Sequence, residues 1–133
     1  MAHLEGVVVV YLRKAVGMPD FDSKQGNKEL LEQIPRHYIK IEMTREAATI
    51  VMLVALALLV GQSILEQIMA FLWTFAFWDL FYYVSLYLVI KWPPRLSTID
   101  VLFLIPKPWI APVWFPVGVS TLTIILIAVF YLI

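Results

Sequence analysis

ILEQIMAFLWTFAFWDLFYYVSLYLVI (64–90) decides the fold. It carries no Lys or Arg, and almost every position is apolar or aromatic. A spanning helix needs about 20 residues at 1.5 Å each, and this run exceeds that. Two more runs support the same reading. VWFPVGVSTLTIILIAVFYLI (113–133) is long enough alone. AATIVMLVALALLVG (47–61) is long enough once its charged lead-in from Glu42 enters the headgroup region. AHLEGVVVVYL (2–12) is interrupted by His3 and Glu5. A helix over 1–12 would cover roughly 18 Å, about half a bilayer. A missing N-terminal piece is the expectation there; the alternative is a half-helix buried by its neighbours.

The composition agrees. The chain has 133 residues, 62% hydrophobic and 15% charged, whereas a soluble domain has about a quarter of its residues charged. The formal net charge is zero, so nucleic acid is not an expected partner. There is no cysteine, which excludes disulfides, thiolate zinc sites, iron–sulfur clusters and thioether-linked haem. The expected fold is all-α and integral to a membrane. It is one domain over 1–133 with three to four transmembrane helices: a short first span (1–14), a second (42–61), a third (64–91) and a last (113–133).

Basic residues set the expected orientation. Arg13, Lys14, Lys24, Lys28, Arg36, Lys40 and Arg45 lie between the first and second spans. None lies in the turn QSILEQ (62–67), and Lys91, Arg95 and Lys107 lie between the third and last. This alternation fits the positive-inside rule. It puts loops 13–45 and 91–107 on the cytoplasmic side of a multi-pass protein, in a cytoplasmic membrane of prokaryotic type.

Two connections carry signals of their own. Within 18–40, NKELLEQI (27–34) reads as a short helix capped by Asn27. Leu30, Leu31 and Ile34 fall on one face, as in an amphipathic helix lying on the membrane surface. Pro35 ends it. The segment 92–112 and its continuation to Pro116 hold six of the eight prolines and three of the five tryptophans. Prolines at that density forbid one continuous helix. A short segment over Ile99–Ile105 capped by Ser97, Thr98 or Asp100, a break at PKP (106–108) and then the last span are expected. The corner is read as interfacial, with a re-entrant lining as the alternative.

Asp79 sits twelve residues before Lys91, roughly 18 Å above the basic interface. A charged aspartate at that depth costs about 2.5–3.5 kcal/mol on insertion scales, so it needs a partner, a proton or a wet cavity. Tyr83 and Tyr87 follow on its helical face. Glu42, Arg45, Glu46 and Thr49 share a face of the second span. His3, Glu5, Arg45 and Asp79 come out at similar depth. They predict a buried polar cluster with Arg45 between the carboxylates, to which Tyr83, Glu42 and Glu46 belong. Two readings follow: paired charges that dock helices, or a proton relay or active site. The docking reading is the expectation.

No cofactor or metal is expected. His3 and Glu5 are two residues apart and point to opposite sides of a helix. DFD (20–22) lacks a calcium loop's register. There is no Walker loop, Gly-x-Ser-x-Gly or His-Glu-x-x-His, so no enzymatic motif stands out. The expected function is that of an accessory or structural component of a larger membrane assembly, of energy-converting or transport type. Its partners are the bilayer and other membrane subunits or further copies of the chain. The alternative is a membrane-embedded enzyme or proton or ion conductor using Glu5, Arg45, Asp79 and Tyr83.

Overall fold

The computed structural model describes residues 1–17 and 27–133. In chain order it has α1 (Ala2–Ala15), α2 (Asn27–Gln33), α3 (Arg36–Val60), α4 (Ile64–Ile90), β1 (Ile99–Phe103), β2 (Trp109–Pro112) and α5 (Trp114–Leu132). The DFD stretch and Lys24 lie outside the described residues. Helices α3, α4 and α5 are each long and apolar enough to cross a membrane. Only 22%, 17% and 11% of their most apolar stretches are buried within the chain, so most of their apolar surface faces outward.

Helix α4 is the central element and packs against α1, α3 and α5. Its start is fixed by a capping box. The Glu66 N–H donates to Ser63 Oγ at 3.3 Å, and Glu66 Oε2 accepts from the Ser63 and Gln62 N–H groups at 3.2 and 2.7 Å. The turn from α3 is tight at Gly61, where a Cβ would sit 2.5 Å from the Gln67 nitrogen. Lys91 ends α4 in the left-handed conformation, φ 56°, and its N–H donates to the Tyr87 carbonyl. Helix α3 begins at Arg36, directly after Pro35, so its charged lead-in is helical six residues before Glu42.

The expected short helical segment at 99–105 is instead a strand. β1 and β2 form an antiparallel hairpin pairing Ile99 with Pro112, Asp100 with Ala111 and Val101 with Ile110, with a bulge before Phe103–Trp109. Ile99, Val101 and Phe103 recur with period two, which suits a strand, and the PKP stretch that breaks any helix is its turn. Asp100 caps nothing helical; its Oδ1 accepts from the Val101 N–H at 2.7 Å. Helix α2 also differs from expectation. It packs on β1, and Leu30 is buried with Val9, Tyr83, Leu86, Trp92 and Val113. Its apolar face meets the chain's own core, because the hairpin supplies the surface that a membrane face was expected to supply. That core lies at the end of the bundle where α1 and α4 finish and α5 begins.

Candidate functional site

The polar cluster assembles around Arg45. Its guanidinium donates from Nε to Glu42 Oε2 at 2.8 Å and from Nη2 to Glu5 Oε1 at 3.1 Å. The second Glu5 oxygen accepts from the Trp78 indole at 2.7 Å. One carboxylate thus ties α1 to α3 and α4 together. Glu42 and Arg45 meet because residues three apart share a helix face. Glu5 reaches them because α1 packs along α4.

Asp79 is not part of that cluster, contrary to the sequence reading. Its Oδ2 accepts from Ser120 Oγ on α5 at 2.7 Å. Successive residues are about 100° apart around a helix, so Trp78 can face α1 while Asp79 faces α5. Position along the chain leaves the direction of Asp79 around the helix open. Tyr83 is likewise not hydrogen-bonded to Asp79. Its hydroxyl donates to Asp100 Oδ2 at 2.8 Å, joining α4 to the hairpin. Glu46 turns to the hairpin as well, accepting from the Leu104 and Ile105 N–H groups at 2.9 and 3.2 Å. His3 leaves the cluster for Ser85, with Nδ1 and Oγ 2.7 Å apart.

Several members were missed in the sequence. Trp78, Ser85, Asp100 and Ser120 each complete a pair. Arg13 is 1% exposed, with its guanidinium carbon 5.0 Å from the Trp92 ring centroid. Trp92, fully buried, stacks in turn on Tyr83 with centroids 6.5 Å apart. The signal for Asp100 was its place in a period-two run. A lone Ser on a span gives none.

Two small cavities touch this network. One of about 80 Å³ is lined by Glu5, Glu42, Arg45 and Glu46 with residues of α2 and β1. The other, about 40 Å³, is lined by Glu5, Trp78, Asp79, Tyr82, Tyr83 and Asp100. With a water's share of liquid volume about 30 Å³, they have room for a few waters at most, well below the ~300–1,000 Å³ of ligand pockets. Among the described residues no group of three or more His, Cys, Asp or Glu is arranged to hold a metal. The larger concavities are mainly apolar grooves on the outside of the bundle, of about 630 Å³ beside α3 and α4 and about 450 and 530 Å³ beside α4 and α5, the last with Arg95 in its lining. Comparisons with protein-family models, curated proteins and solved structures give no match to this chain.

Proposed function

We propose that this chain is a multi-pass membrane protein that crosses the bilayer with α3, α4 and α5 and serves as a structural or accessory component of a larger membrane assembly. The observation that carries the reading is where the polar and apolar spaces lie. Glu5, Glu46 and Asp79 line only water-sized cavities, and each joins two elements: Glu5 with α3 and α4, Glu46 with the hairpin, Asp79 with α5. The spaces large enough for another molecule are apolar and external, where acyl chains or a neighbouring helix fit. Among the described residues, Arg36, Lys40, Lys91, Arg95 and Lys107 flank spans or sit at the hairpin turn, which supports a cytoplasmic basic end. Site-specific photocrosslinking in cells from exposed Leu126 on α5 and Val54 on α3 tests the proposal. Discrete protein adducts are expected at one face, and adducts to lipid alone at both faces would overturn it.

A second reading rests on the cavity of about 40 Å³, where three carboxylates and two tyrosines surround space for water. That arrangement suits proton transfer between Glu5 and Asp79. Proton flux into proteoliposomes that disappears in folded Asp79→Asn would favour it over the structural reading.

A further inference from the structure

We propose that the groove between α4, the turn at Trp92–Leu96 and the start of α5 holds one anionic phospholipid, with an acyl chain along α4 and the phosphate at Arg95 and Lys91. The groove encloses about 530 Å³, within the ~300–1,000 Å³ of ligand sites. Its α4 wall is Leu80, Val84, Tyr87 and Leu88, one continuous helix face, and Val117 of α5 closes the other side. From Leu80 to Lys91 the wall runs roughly 16 Å, close to half of the ~30 Å hydrocarbon core, which is one leaflet. An acyl chain in that groove starts at the interface and ends near the midplane.

The interfacial end carries the charge. Arg95 lines the groove and is exposed. Lys91, also exposed, holds its ammonium 5.1 Å from the ring centroid of Tyr87, itself a groove residue. Neither of these cations takes part in the ion pairs that Arg45 makes with Glu5 and Glu42. Lys91 caps α4 in a left-handed conformation that glycine enters more readily, three residues beyond Leu88, the last α4 residue of the groove wall. The neighbouring groove lined by Met69, Trp73, Ile127 and Tyr131 has no charged residue. A zwitterionic lipid would fill the apolar wall equally well, so the two cations are what select an anionic headgroup.

The inference rests on membrane residence, which alkaline-carbonate extraction tests separately. The binding test is native mass spectrometry of the full chain in detergent, titrated with phosphatidylglycerol or phosphatidylcholine of matched acyl chains. At about one Lys or Arg contribution each, two cations predict a roughly 10- to 30-fold preference for phosphatidylglycerol. Lys91→Gln/Arg95→Gln should bring the preference to within about twofold, and Lys91→Gly/Arg95→Gln gives the same test with a residue suited to the left-handed cap. Arg36→Gln/Lys40→Gln should leave the preference intact. Val84→Trp, which fills the groove, should weaken both lipids. Equal binding of the two lipids by the wild-type chain, or an unchanged preference in both double variants, would overturn the site. Displacement by excess glycerol phosphate would also overturn it, because that ligand lacks an acyl chain. A chain released by carbonate would remove the membrane reading and this site together, whereas a retained chain that treats both lipids alike removes the site only.

Discussion

Trp78 and Asp79 are consecutive in α4 and bind different neighbours: the Trp78 indole donates to Glu5 on α1, and the Asp79 carboxylate accepts from Ser120 on α5. One peptide step therefore fastens α4 on two sides. Each fastening is separable by mutation.

The Asp79–Ser120 pair is expected to act as an interhelical fastener. Asp79→Asn keeps an acceptor for Ser120 and should change stability little. Ser120→Ala should destabilise by about 1 kcal/mol, the usual size of an interhelical hydrogen bond in membranes. Thermal unfolding in detergent across the Asp79→Ala/Ser120→Ala double-mutant cycle, in which each single variant removes the bond, measures the coupling. Additive losses would mean that the pair contributes nothing.

Arg45 is shared by two carboxylates, and its side chain and those of Glu5 and Glu42 are 26%, 16% and 14% exposed. Arg45→Gln leaves both acids without a counterion and should cost about 1–3 kcal/mol, less than a fully buried pair because solvent still reaches it. Glu5→Gln should be milder, since its amide oxygen still accepts from Trp78 and Arg45 keeps Glu42. The same melting assay ranks the two variants.

Glu46 holds the hairpin through two backbone N–H groups. Glu46→Ala removes both acceptors. The Leu104 and Ile105 amides should then exchange with solvent about tenfold faster or more, as for loss of about 1.4 kcal/mol of local protection. Amides in α5 should be unchanged, because no Glu46 contact reaches them.

Gly6 lets α1 approach α4. A Cβ there would stand 2.8 Å from Ser85 Oγ and 3.3 Å from Ser85 Cβ. Gly6→Ala should destabilise by about 1–3 kcal/mol through overpacking. Gly6→Ala/Ser85→Ala should recover part of that loss, even though it gives up the His3 contact.

The long apolar helices were legible because run length alone sets them: 64–90 and 113–133 coincide within a residue with α4 and α5. The Glu5–Arg45–Glu42 contact was legible from helical spacing and depth. Partners that depend on direction around a helix were not. Depth put Asp79 near Arg45, but rotation of α4 aims it at Ser120. The hairpin was hidden because its prolines read as a corner, although Ile99, Val101 and Phe103 already alternated. As a candidate cap of that segment, Asp100 carries no sequence signal of its bond to Tyr83.

Under the proposed function, the polar network clamps one component of a larger membrane assembly. Extraction of the chain from its membrane in mild detergent, followed by sizing and mass spectrometry of the same peak, tests it most directly. A peak larger than the chain alone, containing other membrane proteins or further copies of it, is expected. A lone, monodisperse monomer would contradict it.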